Sequence, residues 1–210
     1  MESKELAHVA VAVLMMFVVS GLGFVLAGDS FMLMQVFVFS FVVVVVPVVV
    51  KKVMAYSLDA RVEHEIWHFY RFGWWTESHF KSPVPFGLIT PLFFSAFSLG
   101  IVKVMTFLTY ETRALKHRAA KRFGHYSYTS MTDWHNGLIG ATGVVSLLVV
   151  SVLAYFGDFG LLGKMAAYYA FWNIIPFSKL DGTQIFFGNR IVWSVLAVIC
   201  LIFVGYAWVL

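Results

Sequence analysis

The side chains with the clearest chemical potential are five consecutive residues, His64-Glu65-Ile66-Trp67-His68. Two histidines four apart share one face of an α-helix, so both imidazoles can bind one zinc ion while a glutamate between them takes a proton from zinc-bound water. In that arrangement His64 and His68 are ligands and Glu65 is the general base of a metal-assisted hydrolysis. The third ligand must come from elsewhere, and Asp181 is the candidate. It follows Asn173-Ile174-Ile175-Pro176-Phe177-Ser178-Lys179-Leu180, which sets an amide, a helix-breaking proline and a carboxylate beside the last apolar run. A carboxylate at membrane depth is costly without a partner. Two plainer partners are open to it: the start of a short helix at 182–187, or the ammonium of Lys179. Residues 64–68 also have a plainer reading, an amphipathic helix lying in the membrane interface. Val62, Ile66 and Phe69 then form its apolar face, His64, His68 and Arg71 its polar face, and Trp67 and Tyr70 sit at the headgroup level. The remaining histidines, His8, His79, His117, His125 and His135, show no helical ligand spacing. Cys200, the single cysteine, lies in mid-run, so any metal must be held by His, Asp or Glu.

The elements that must position these groups are apolar. Hydrophobic residues make up 60% of the 210 and charged residues only 12%, a balance that requires lipid as the main solvent. Apolar runs at 6–28, 31–50, 84–110, 137–156, 159–177 and 191–210 are each long enough for a helix that closes its own hydrogen bonds in hydrocarbon. The first run lacks a small-residue cleavage site and reads as a retained span. Lys51, Lys52, Arg61, Arg71 and Lys81 follow the second run, and Arg113, Lys116, Arg118, Lys121 and Arg122 follow the third. The positive-inside rule puts both loops in the cytoplasm. One crossing by 84–110 would separate them, and two crossings of about 20 residues each do not fit. That run, with Pro83, Pro85, Gly87, Pro91 and Gly100, therefore reads as a re-entrant hairpin turning near Ser98 to Gly100. The expected fold is an all-α membrane protein of about five transmembrane helices plus this hairpin, a single integral domain over 1–210. Its N-terminus and basic loops face the cytoplasm, and an outer link falls at 157–160. Gly137, Gly140, Ala141 and Gly143 give the fourth run a small-residue face for close helix packing. The net charge of +4 flanks the spans and suits anionic headgroups, which sets nucleic acid aside.

Asn173-x-x-Pro176 followed by Leu180-Asp181-Gly182 resembles the N-x-x-P-x-x-x-L-D-G signature of the site-2 proteases, the intramembrane zinc metalloproteases. The segment Gly137 to Gly143 resembles the glycine-rich start of that family's third core span, and a hairpin between core spans is a family feature. The resemblance covers residues 31–190, leaving 1–30 as a first span and 191–210 as a last one. It implies a site-2-protease-like core in which Asp181 is a zinc ligand and Asn173 and Pro176 belong to the substrate groove. The family carries its His-Glu-x-x-His inside the second span, where this chain reads Pro47-Val48-Val49-Val50-Lys51. On that register Lys51 stands in place of a ligand and becomes the expected neighbour of Asp181.

Three functions follow. The first is a non-catalytic pseudoprotease that binds membrane segments of client proteins and needs no cofactor. The second is an active zinc protease using His64, His68, Asp181 and Glu65 on membrane protein substrates. The third is a structural subunit or small transporter, for which no internal repeat speaks. Membrane lipid is a partner in all three. The charge argument is checked by cysteine-accessibility labelling at Ser57 and Ser127: both positions should label from the same side of the membrane, and opposite sidedness would eliminate the hairpin.

Overall fold

The computed structural model describes residues 3–71, 79–115 and 131–209. Lys116, Arg118, Lys121, Arg122, His117, His125 and Ser127 lie outside the described residues. Helix α1 (Ser3–Ala27) and helix α2 (Ser30–Ser57) form an antiparallel pair. The turn between them uses Gly28 at φ 73° and Asp29, whose carboxylate accepts the Met32 N–H at 3.1 Å and so caps α2. Farther along, Thr132 caps α4 (Asp133–Phe156), α5 covers Gly160–Ile174, α6 Asp181–Gly188 and α7 Arg190–Val209. Helix α4 is central, packing on α2, α5 and α6.

Among the described residues four helices, α1, α2, α4 and α7, are long and apolar enough to cross a membrane. Their outer faces expose Leu14, Phe37, Phe41, Leu153, Leu201 and Ile202, while Met16, Val43, Val44, Leu147 and Cys200 are buried between them. Large apolar side chains covering the outside of a bundle require an apolar solvent. The chain is an integral, multi-pass, mostly helical membrane protein in contact with lipid.

Three elements depart from the expectations. The fifth apolar run yields a helix of 15 residues, about 22 Å long at 1.5 Å per residue and so short of the ~30 Å hydrocarbon core. Pro176 explains the early stop: it excludes the α conformation from the preceding residue, and Ile175 is extended at φ −64°, ψ 125°. The second departure is at 64–68, which is not an interfacial helix. Strand β1 (Ala60–Ile66) pairs antiparallel with β4 (Leu108–Ala114), in register from Ala60 opposite Ala114 to Ile66 opposite Leu108. Its burial alternates, with Ala60, Val62, His64 and Ile66 inward and Arg61 and Glu65 outward. A smaller antiparallel pair joins β2 (Phe69–Arg71) to β3 (His79–Val84), so the fold is helical but not wholly α.

The third run, 84–110, is neither one helix nor two. Helix α3 (Phe86–Phe97) leads to a turn at Ser98 to Gly100, with Leu99 and Gly100 at positive φ, and then to an extended segment running into β4. The turn packs on α1 near its far end: a Cβ on Gly100 would lie 3.2 Å from the Gly23 nitrogen. Because β1 and β4 are paired, the chain that leaves α2 and the chain that returns after this excursion lie side by side.

Candidate functional site

The most costly charges in the bundle meet at one point. Lys51, near the end of α2, and Asp181, the first residue of α6, are 130 residues apart in sequence, and the ammonium Nζ binds the carboxylate Oδ2. Both residues are buried, at 6% and 2% exposure. The packing around them is specific. Gly143 of α4 lies against the Lys51 stem, where any side chain would collide with Cε. The Lys51 ammonium stands 4.8 Å from the centre of the Tyr110 ring, a cation–π contact. The Tyr110 hydroxyl donates to the Asn136 carbonyl at 2.6 Å and would lie 2.7 Å from a Cβ on Gly140. Gly182 abuts the Ile174 carbonyl so closely that no side chain fits, which seats Asp181 against the end of α5. The glycines of α4 thus serve the close approach expected of them: at Gly137 the neighbours are the α6 backbone at Gln184 and Gly188.

A second network adjoins the first. Lys52 turns the other way and its Nζ donates to Glu5 Oε2 of α1 at 2.7 Å. Glu5 Oε1 lies 3.1 Å from both the His64 backbone nitrogen and the imidazole Nδ1. The carboxylate therefore satisfies the outer edge of β1 and fixes the ring. Burial pushes the His64 pKa below the ordinary imidazole value, opposed by the bond to Glu5 and reinforced by the charge of Lys51. A neutral ring that donates through Nδ1 keeps Nε2 as an acceptor. That Nε2 and Asp181 Oδ1 are buried without a hydrogen-bond partner among the described residues. A polar cavity of about 220 Å³ opens beside Glu5, His8, Glu63, His64 and Glu65.

The zinc set of the active-protease reading does not assemble among the described residues. His64 and Glu65 are consecutive on a strand and face opposite ways, and His68 lies beyond the end of that strand at Ile66, so no helix brings the two histidines to one face. Zinc–nitrogen bonds are only about 2 Å long, so ligands to one ion must converge closely. Asp181, the proposed third ligand, holds an ammonium instead, and a bound cation there opposes a second one. Among the described residues no three His, Cys, Asp or Glu side chains converge to hold a metal. The residues present do not fit the zinc centre that the resemblance implies. Asp181 also does not pair with Lys179, which binds Glu111 at 3.2 Å on the surface.

Asn173 is buried and its amide donates to the Tyr169 carbonyl one turn back, while Pro176 is exposed on the loop that follows. Trp67, the fourth residue of the histidine motif, clamps that loop: its indole donates to Ser178 Oγ at 3.2 Å and its ring meets Phe177 edge-on. The sequence reading passed over Glu5, Lys52 and Tyr110. Glu5 alone carried a signal, an acid in the first turn of an apolar helix that must find a cation.

The fold and the site define a class: a multi-pass helical membrane protein with a buried lysine–aspartate pair where its core helices and β4 meet. Compared with protein-family models, characterised proteins and solved structures, the chain matches none.

Removing one partner of a buried pair strands a charge, typically at about 3–5 kcal/mol, whereas replacing both by apolar groups is often neutral or stabilising. Lys51→Ala should therefore lower the melting temperature in detergent sharply, and Lys51→Met with Asp181→Leu should restore most of it. Equal losses in the single and double variants would show that the pair is not coupled.

Proposed function

We propose that this protein is a non-catalytic member of the site-2-protease architecture that holds membrane segments of client proteins without cutting them. The observation that carries the reading is the Lys51–Asp181 pair: a cation supplied by the chain occupies the carboxylate that the family devotes to zinc. Two further features support it. Glu65 points away from His64, so the general base and its metal ligand are separated. The α3-turn-extended excursion, leaving and returning beside the β1–β4 pair, has the form of the re-entrant hairpin expected between core spans. In this reading the N-terminus and both basic loops are cytoplasmic, and α5, though short, completes a five-helix core.

The client would lie along an apolar surface that starts at the exposed Phe177 beside Pro176. It continues through Phe69 and Phe86 onto Phe93 and Phe97 of α3. Asn173 is buried in the last turn of α5, its amide bonded back to the Tyr169 carbonyl. Membrane helices associate by packing and interhelical hydrogen bonds instead of by expulsion of water, so such a surface selects by shape.

The test is photo-crosslinking in native membranes from a benzophenone residue at Pro176 or Phe97, with Leu153 on the lipid-facing side of α4 as control. Crosslinks to membrane-spanning proteins should form at the first two positions and not at Leu153, and Glu65→Gln should leave the levels and lengths of those proteins unchanged. Cleavage of a captured protein that Glu65→Gln abolishes would return the chain to the active proteases, and equal labelling at all three positions would remove the client surface.

A further inference from the structure

A second charged feature lies at the opposite end of the bundle. Between the extended segment after the α3 turn and helices α5 and α7 is an open cavity of about 620 Å³. Lys103 and Lys164 both line it, together with Tyr168, Trp172, Val204 and Trp208. The Trp172 indole donates to the Lys103 carbonyl at 2.8 Å, which fixes the extended segment as a wall. Lys103 faces the Phe24 ring at 6.0 Å, and neither lysine has an acidic partner among the described residues. Two cations sharing a partly buried cavity repel each other, and an anion between them would relieve that repulsion.

The position narrows the anion. Phe24 is close to the far end of α1, Lys164 is in the first turns of α5 just after the 157–159 turn, and Trp208 is at the end of α7. All three lie toward the end of the bundle away from β1 and β4, the end at which these membrane-length helices would approach the headgroups. Trp and Tyr are the residues that favour this level. A second cavity of about 260 Å³, lined by Val152, Ile202, Phe203 and Tyr206, shares Lys164 and Ala207 with the first. Lys164 and Ala207 thus form a ridge with a cationic aromatic cavity on one side and an apolar slot on the other. A molecule with one anionic head and two hydrocarbon chains matches that shape, the head at the two lysines and the chains on either side of the ridge. A free inorganic anion would use only the first cavity.

We propose that Lys103 and Lys164 form a binding site for one anionic phospholipid from the leaflet opposite the basic loops. The site is separate from the Lys51–Asp181 pair and does not depend on the client-binding reading. Ordinary snorkelling of two lysines is the competing arrangement, and it would attract headgroups without retaining one.

The test is native mass spectrometry of the full chain, delipidated in detergent and offered phosphatidylglycerol and phosphatidylcholine together. The wild type should retain one phosphatidylglycerol, and Lys103→Gln with Lys164→Gln should weaken that retention by about 30-fold, roughly 5-fold for each lysine near the surface. Lys103→Arg with Lys164→Arg should keep it, and so should Lys116→Gln with Lys121→Gln in the basic loop. Retention that survives the double Gln variant, or is lost in the basic-loop variant, overturns the site. Should the double Gln variant fail to fold, wild-type protein labelled with a diazirine phosphatidylglycerol decides the matter. Labels should concentrate in segments 101–105, 161–168 and 202–208, and labels spread evenly over the lipid-facing helices would reject the proposal.

Discussion

Burying charge in a lipid-facing bundle is the constraint around which this structure is organised. An ionised carboxylate and an ammonium each lose several kcal/mol of hydration on burial, and only close contact with an opposite charge offsets the loss. Asp181 and Lys51 meet that condition together, and the surrounding sequence is shaped to let them. Gly143 gives the lysine stem its channel, Tyr110 covers the ammonium with its ring, and Gly182 lets α6 seat its first turn against α5. The pair therefore fixes the register of α2 against α6, which are joined by no short loop. Lys52 extends the same logic. Neighbouring residues on a helix point about 100° apart, so two consecutive lysines hold two different elements, Asp181 on α6 and Glu5 on α1. Glu5 in turn closes the edge of β1 through His64. One short stretch of α2 thus ties α1, α6 and, through Glu5, strand β1 together.

The spans were legible because a long apolar run has few alternatives in a membrane. Helices α1, α4 and α7 follow the expected runs within a few residues, α2 runs past the expected end at Val50 to Ser57, and a turn stands at Ser98 to Gly100 in the proline- and glycine-bearing third run. Strand β1 was not legible. Val62, Ile66 and Phe69 fit the 3.6-residue period, while Ala60, Val62, His64 and Ile66 fit the period of two, and the choice rests on β4, a partner far along the chain that no local pattern announces. The end of α5 was misjudged for the opposite reason. The apolar run continues to Phe177, but Pro176 acts on the backbone of Ile175 whatever the hydropathy.

At the site itself, the Lys51–Asp181 contact is the one that the resemblance led us to expect, and the structure brings the two side chains together. Glu5 and Tyr110 were not, because their roles come from strand pairing and helix packing that sequence spacing does not encode. The histidine motif shows the limit of spacing as evidence. Residues at i and i+4 share a face on a helix, whereas here His64 and Glu65 alternate on a strand that ends before His68. Trp67 then does the structural task in the motif, holding the Phe177–Ser178 loop in place.

The proposed function rests on the Lys51 ammonium standing on Asp181 where an active protease of that architecture would hold a metal ion. Metal analysis of the full chain, extracted in detergent without chelator and compared with His64→Ala, Asp181→Ala and Lys51→Ala, tests it most directly. The account predicts zinc well below one equivalent in the wild type, with no decrease in the His64 or Asp181 variants. One equivalent of zinc in the wild type, lost in both His64→Ala and Asp181→Ala, would contradict it.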